Sequence, residues 1–251
     1  MRKKKKVNAA ILIIGNEILS GRTKDQNVSF LAFWLNLNLG IKVEEVRIVQ
    51  DIENKIVKNI LNLSKRFDYV FTTGGIGPTH DDITAQSISK AFKKKYLYNN
   101  EALNILKKYY GNQFNDPRKK MAKMPEGSKL IYNPSSAAPG FIIKNVICLP
   151  GVPLILKSMM HNLKKHLDPG VKTFNVSINC ITVESRIAIE LGKIQNKYKK
   201  NVEIGSYPFF RLGKIGVSIV ISSSKKSNLQ SCHKDIIRLM QNKKIKFLKG
   251  M

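Results

Sequence analysis

The passage from Tyr69 to Thr84 restricts the fold most, because a short apolar run gives way there to a glycine-rich loop and then to a helix start. Tyr69, Val70 and Phe71 read as a buried strand, Thr72 onward has loop chemistry, and Asp82-Ile-Thr-Ala-Gln reads as a helix opening with an acidic N-cap. Behind Thr73, the glycines Gly74, Gly75 and Gly77 leave backbone N–H groups unobstructed at the carboxyl end of that strand. Open α/β sheets bind ligands at such strand ends, and a following helix N-terminus adds partial positive charge suited to phosphate. His80, Asp81 and Asp82 then stand together at the mouth. Two adjacent carboxylates beside an anion cradle make chemical sense where a cation such as Mg²⁺ bridges them to phosphate oxygens. A lone Gly-Gly-x-Gly turn is explained by glycines for φ > 0 and acids for capping. The whole string is far more specific.

Strand and helix signals alternate around this passage. Residues 7–14 form a continuous apolar run closed by Gly15, the pattern of a central parallel strand covered on both faces. Gly15-Asn-Glu-Ile-Leu-Ser-Gly-Arg22 is then a loop on the ligand side, where Glu17 suits a metal and Arg22 a phosphate; capping and solvation explain the two equally well. Residues 23–39 carry a helical stripe stopped by Gly40, with Trp34 off its centre and assigned to packing. A second strand covers 42–49, and Asp51 opens a helix as its N-cap, with Ile52, Ile56, Ile60 and Leu63 on one face. Helices follow at 85–94 and 101–110. Residues 116–125 read as a short basic helix between prolines; its Arg118, Lys119 and Lys120 are either solvated or placed to neutralise a diphosphate. The small-residue loop Asn133-Pro-Ser-Ser-Ala-Ala-Pro-Gly140, with Ser136 at its centre, permits close backbone approach to a ligand. Residues 141–143 and 146–149 read as a hairpin around Lys144-Asn145. Leu149-Pro-Gly-Val-Pro153 is another strand-end turn, which puts Gly151 on the ligand side before a helix over 154–167. The alternation predicts a three-layer α/β/α domain with a mainly parallel sheet over residues 1–168.

Asp168-Pro-Gly170 marks the boundary to a second domain, 169–251. Its signals run strand (173–183), helix (185–199), two strands (202–207 and 215–221) and helix (229–240), a small α+β sandwich. The first part carries 28 Lys/Arg against 13 Asp/Glu and the second 16 against 4, so the second is the more basic per residue. Such a field attracts polyanions and phosphorylated metabolites, or is simply a solvated surface. Aromatics do not interleave the basic runs, so charge alone does not establish nucleic-acid binding. Cys148, Cys180 and Cys232 are odd in number and far apart, which excludes a disulfide scaffold or zinc ribbon and suits a reducing compartment. No segment reaches the roughly 20 apolar residues of a membrane span, and the expectation is a cytoplasmic protein with no membrane partner.

The string Thr72-Thr-Gly-Gly-Ile-Gly-Pro-Thr-His-Asp-Asp-Ile-Thr84 resembles the signature loop of the molybdopterin-binding (MoaB/Mog) domain, in the form carried by the competence/damage-inducible protein A family. Gly15-Asn-Glu-Ile-Leu-Ser-Gly, Val49-Gln-Asp51, Pro139-Gly-Phe141 and Leu149-Pro-Gly-Val-Pro153 match in the same order, and Ile204-Gly-Ser-Tyr-Pro-Phe-Phe210 extends the likeness more loosely into the second, KH-like domain. No G-x-x-G loop joins two helices there, so an RNA-gripping role is not supported. The resemblance implies a phosphorylated nucleotide or pterin ligand, frequent assembly into homo-oligomers, and two reaction classes. One branch adenylylates molybdopterin; another hydrolyses the pyrophosphate of ADP-ribose or FAD with a divalent metal, Mg²⁺ or Co²⁺. By matching position it implies metal binding and chemistry at Asp51 and Asp82. With the reading of the loops above, the expectation is chemistry at Asp51, Asp81 and Asp82, a cation held by Asp81 and Asp82 with help from Asp51 or Glu17, and ligand contacts from Gly15, Thr73, Gly74, Gly75, Gly77, Arg118, Ser136 and Gly151. Asp81 stands where the adenylylating branch typically has Arg, and Asn16 where an acid is frequent. The further deamidase domain of larger members is not expected within this chain.

Overall fold

The computed structural model describes residues 5–211 and 213–249. The chain divides into two compact units, one ending at Gly170 and the other beginning at Val171. In the first, β1 (Val7–Ile14) leads through the one-turn α1 (Asn16–Leu19) to α2 (Asn27–Leu39), β2 (Ile41–Val49), α3 (Glu53–Arg66), β3 (Tyr69–Thr73) and α4 (Thr84–Ala91). There follow β4 (Tyr96–Tyr98), α5 (Asn100–Tyr110), α6 (Asp116–Lys120), β5 (Lys123–Pro125), β6 (Lys129–Ile131), β7 (Gly140–Ile143), β8 (Val146–Leu149) and α7 (Pro153–Lys164). The main sheet has the order β2-β1-β3-β8-β7-β6, with β2, β1, β3 and β8 mutually parallel and β7 and β6 antiparallel. The three-layer, mainly parallel architecture expected from the sequence is the one observed.

The double burial of β1 follows from its composition. Ala10, Leu12 and Ile14 face Ile56, Ile60 and Leu63 of α3 and Ile88 of α4, whereas Ala9, Ile11 and Ile13 face Leu31, Leu35 and Leu39 of α2 and Leu156, Met159 and Leu163 of α7. Each fully buried Leu or Ile contributes about 1.5–3 kcal/mol, so both helical layers are pinned to the sheet. Because the four strands run in parallel, the carboxyl ends of β1, β3 and β8 open onto the same edge.

Several local expectations need correcting. The stretch after Gly15 holds the one-turn α1. Helix α2 starts at Asn27, where the Asp25 carboxylate accepts the Asn27 and Val28 amides, and it ends as expected at the left-handed Gly40. The basic segment leaves its helix at Lys120, and Lys123–Pro125 pairs instead with β4 in a separate two-stranded ribbon. Asp51 and Asp82 do not cap their helices; Ile52 and Ile83 occupy the N-cap positions without a side-chain bond. Both carboxylates are turned elsewhere.

The second unit, the α+β domain expected to be KH-like, runs β9 (Phe174–Cys180), α8 (Ala188–Tyr198), β10 (Glu203–Arg211), β11 (Lys214–Ser223), α9 (Lys226–Asn242) and β12 (Phe247–Lys249). Its antiparallel sheet has the order β10-β11-β9-β12, a split β-α-β arrangement. Ile178, Val217, Ile219 and Ile221 pack there against Leu191, Ile236 and Met240. Among the described residues, no helix is long and apolar enough to cross a membrane.

Candidate functional site

At the carboxyl edge of the parallel strands lies an open crevice of about 530 Å³ whose lining includes Glu17, Asp51, Asp81 and Asp82 together with the loop Gly74–Thr79, Ser136 and Gly151. Its floor is a contact of backbones. A Cβ on Gly74 (φ +98°) would lie 2.2 Å from the Ile14 carbonyl oxygen, and one on Gly151 would lie 3.3 Å from Gly74 Cα. The ends of β1, β3 and β8 therefore meet where side chains are absent, and left-handed backbone there favours glycine.

The loop is held from above by Thr84, which is fully buried. Its amide donates to the Gly75 carbonyl at 2.9 Å and its hydroxyl to the Gly74 carbonyl at 2.9 Å. The Gly74 amide is itself occupied, donating to the Leu149 carbonyl at 3.2 Å, so it is not available to a phosphate as the sequence suggested. The amides of Gly75, Ile76 and Gly77 carry no protein partner among the described residues. These are the three backbone donors of the loop left without a partner.

Four acids surround this loop. Asp82 Oδ2 accepts the Thr79 amide at 2.8 Å and the Thr79 hydroxyl at 2.5 Å, and its carboxylate lies over Gly77, where a Cβ would approach within 2.6 Å of it. Asp51 Oδ2 accepts the Asn16 amide at 2.8 Å, which ties the end of β2 to the start of α1. Burial raises the Asp51 pKa against the pull of that bond, and the Glu17 and Asp81 carboxylates raise it further. The Thr79 side chain first and the Asp81 backbone next, with smaller contributions from His80 and Lys120, hold the exposed Asp81 carboxyl below the usual range. Glu17 lies against Gly15, where a Cβ would fall 2.6 Å from its Oε1; that glycine makes room for the carboxylate.

The structure separates other expected site residues from the crevice. Thr73 is buried at the end of β3. Arg118 turns away, its guanidinium 4.2 Å over the Tyr110 ring and bonded to the Gln113 carbonyl. From the same helix Lys120 reaches the loop and donates to the Thr79 carbonyl, and it lines a smaller pocket with Gly75, Gly77 and Asp82. Sequence reasoning missed two positioning residues. Asn133 donates to Ser136 Oγ at 2.7 Å and the Ala138 carbonyl at 2.9 Å while accepting the Ser135 and Ser136 amides; Asn before Pro-Ser-Ser was the available signal. Buried Asn27 donates to the Gly151 carbonyl at 2.7 Å across 124 residues, and no local pattern announces that.

The donor chemistry decides how a metal fits. The acids offer only hard oxygen donors, and the Glu17 and Asp81 carboxylates add to the raised Asp51 pKa. Yet no three His, Cys, Asp or Glu side chains among the described residues converge as a closed ligand set. Such an arrangement suits a cation that takes one or two carboxylates and completes its shell with water and phosphate oxygens, the habit of Mg²⁺. It does not suit a preformed cage.

Residues 10–169 match the family described as "Probable molybdopterin binding domain", and residues 172–249 match "FAD synthase, middle domain". The chain belongs to the molybdopterin-binding domain family. Within it the chain is of the CinA-like type. A "Putative competence-damage inducible protein" of Caldicellulosiruptor saccharolyticus is 31% identical over 242 residues, 94% of this chain and 58% of that protein. A protein of Archaeoglobus fulgidus is 32% identical over 235 residues, 93% of this chain and 98% of its own. Among solved structures, CinA of Thermoplasma acidophilum, described as of unknown function, is 33% identical with a TM-score of 0.60 and covers 64% of this chain and 99% of its own.

Proposed function

We propose that the protein is a divalent-metal-dependent pyrophosphatase acting on a dinucleotide of the ADP-ribose or FAD kind. The observation that carries this reading is the pairing of three unpartnered amides, Gly75 to Gly77, with the acids Asp51, Asp81 and Asp82 in one crevice. An anion cradle alone would serve any phosphate ligand. Acids beside it repel that ligand unless a cation intervenes, which is the requirement of phosphoanhydride cleavage rather than of storage. The FAD synthase middle-domain match supports the flavin dinucleotide as one substrate.

In the reaction water adds to one phosphorus, the P–O–P bridge breaks, and AMP leaves together with ribose 5-phosphate or FMN. A bound Mg²⁺ or Co²⁺ supplies charge neutralisation and polarisation of the diphosphate. The Gly75–Gly77 amides hold non-bridging oxygens, and Lys120 adds positive charge beside the loop. Asp51, whose proton affinity is raised by burial, accepts the proton of the attacking water. Asp82, fixed by Thr79, holds the acidic wall in place. Asp81 speaks against the adenylyl-transfer reading, since an anion there opposes direct contact with a nucleotide phosphate tail. The three buried free cysteines support a reducing, cytoplasmic setting.

Incubating the full chain with ADP-ribose, FAD or ATP, with and without Mg²⁺ or Co²⁺, tests the reading. AMP release from either dinucleotide, reduced by about 10²–10³ in Asp82→Asn, is the expected result. No AMP under any condition, pterin-dependent consumption of ATP, or an Asp82→Asn variant at wild-type rate would each overturn it.

A further inference from the structure

Aromatic rings and cations that lie apart in the sequence are interleaved in the fold around the β4–β5 ribbon. Tyr96 and Tyr98 are two residues apart on β4, so both rings lie on one face of the ribbon. Tyr98 stands opposite Lys123 of β5 in the register. The Lys123 ammonium lies 4.7 Å from the centre of the Tyr98 ring and 5.6 Å from that of Tyr96. Lys119 of α6 lies 5.0 Å from the Tyr98 centre on its own account. One residue before it, Arg118 sits 4.2 Å over Tyr110, whose ring meets Tyr109 edge-on at 4.9 Å. Four of the nine cation–ring contacts among the described residues thus fall within residues 96–123, which puts the two ingredients of a stacking surface in one place.

That surface is open. Tyr98 is 40% and Tyr109 55% exposed. Among the described residues, Arg118, Lys119 and Lys123 enter no ion pair with a carboxylate. The exposed Lys93, Lys94 and Lys95 lead straight into β4. A cation over an exposed ring is held weakly, whereas a base stacked on the same ring is held more strongly. An arriving base therefore displaces the ammonium, and the freed cation is within a side chain's reach of the phosphate beside that base.

We infer that this β4–α6–β5 face binds single-stranded nucleic acid without sequence preference, Tyr98 and Tyr109 stacking bases while Lys119 and Lys123 meet phosphates. The open rings select that occupant. A duplex keeps its bases stacked on one another and offers the rings nothing flat. An acidic peptide would satisfy the lysines and leave the rings unused. None of these four side chains lines the acidic crevice, so the inference stands apart from the pyrophosphatase reading.

Fluorescence anisotropy of labelled oligothymidylate and oligouridylate of about 12 nucleotides, titrated with the full chain in EDTA, tests it with the crevice kept free of metal. Both strands should bind at about 50 mM salt, since ring stacking does not read the sugar. The matching duplex, and an abasic strand with the same number of phosphates, should bind about tenfold more weakly or worse. Tyr98→Leu/Tyr109→Leu leaves the charge unchanged and should weaken binding by about tenfold with the salt dependence kept, whereas Tyr98→Phe/Tyr109→Phe should keep wild-type affinity. Lys119→Gln/Lys123→Gln should weaken binding and lower the slope of log affinity against log salt by about 1.4. Lys199→Gln/Lys200→Gln removes the same charge from exposed positions in the second unit and should change affinity by no more than about twofold. Failure of both strands to bind would overturn the proposal. So would a duplex or abasic strand held as tightly, wild-type affinity in the leucine variant, or equal losses from the two lysine pairs.

Discussion

Replacing Gly75 by Ala measures how far the crevice loop depends on close packing. Gly75 has φ +67°, and a Cβ there would lie 2.1 Å from Thr84 Oγ1 and 3.2 Å from Thr84 Cβ. Thr84 cannot swing aside, because it is fully buried and both its amide and its hydroxyl bond the loop carbonyls. Two costs then separate. Left-handed backbone costs a residue with a Cβ about 1–2 kcal/mol. Forcing a methyl into a filled site costs about 1–3 kcal/mol more, and loss of the hydroxyl's bond adds about 1. The total is roughly 3–6 kcal/mol, a large share of the stability of an ordinary domain.

Gly21 supplies the control. Its φ is +72° and nothing lies within 4 Å of its would-be Cβ, so Gly21→Ala should cost only the strain, about 1–2 kcal/mol. Urea unfolding of both variants isolates the contact as the difference, about 2–4 kcal/mol. Thr84→Ala alone should destabilise, since it strips the Gly74 carbonyl of a donor. Added to Gly75→Ala it should cost less than the sum by about 1–2 kcal/mol, because it opens the space the methyl needs. Gly75→Ala no worse than Gly21→Ala, or strict additivity with Thr84→Ala, would refute the packing argument.

Two further outcomes follow from proton affinities. The folded state binds a proton at Asp51 more tightly than the unfolded chain does, since burial raises that pKa above 3.8. Its contribution to stability is therefore best below 3.8 and declines as pH rises through the raised folded value. Asp51→Asn keeps an acceptor for the Asn16 amide, so it should match or exceed wild-type stability at about pH 7, with the gap closing toward acid. Thermal melts across that range check the sign, and a variant that loses most stability at neutral pH contradicts it. Burial pushes the Cys148 thiol up to about 12 and those of Cys180 and Cys232 up to about 11, so none should react with a disulfide reagent near pH 8 until denaturant is added. Rapid modification of any one thiol in the native protein would show that burial to be wrong.

Much of the fold was legible because it rests on signals that one stretch of chain carries alone. The apolar run of β1, the Gly40 stop of α2, the Lys144-Asn145 hairpin and the strand-end glycines all report local requirements. So does the juxtaposition of Gly75 and Gly77 with Asp82, which are near neighbours in the chain. What escaped depends on distance or on competition. The bond from Asn27 to the Gly151 carbonyl spans 124 residues. Arg118 and Lys120 stand two residues apart with equal charge, and it is the Tyr110 ring and the Gln113 carbonyl that hold Arg118 while Lys120 bonds the Thr79 carbonyl. Asp51 and Asp82 look like caps in sequence, and the better partners that claim them, the Asn16 and Thr79 amides, become visible only in three dimensions. The short β12 is hidden in a lysine-rich tail, where Phe247 alone suggests burial.

Charge operates on two length scales in this molecule, and they oppose each other. From afar the chain presents a net charge of +27, which concentrates anions around it. Within the crevice the sign reverses, because Glu17, Asp51, Asp81 and Asp82 line the same space. At physiological salt the distant lysines are screened beyond about 8 Å, so an arriving diphosphate meets the nearby carboxylates as its dominant charges. The unpartnered amides of Gly75 to Gly77 offset part of that repulsion but carry only partial charge. A metal-free crevice should therefore attract diphosphates to its neighbourhood while holding them weakly, and a divalent cation should convert the same acids from repulsive wall to binding surface. In the proposed metal-dependent reaction, that reversal is the reason for combining glycine amides with paired aspartates in one loop, when an anion cradle alone would be better lined with lysine.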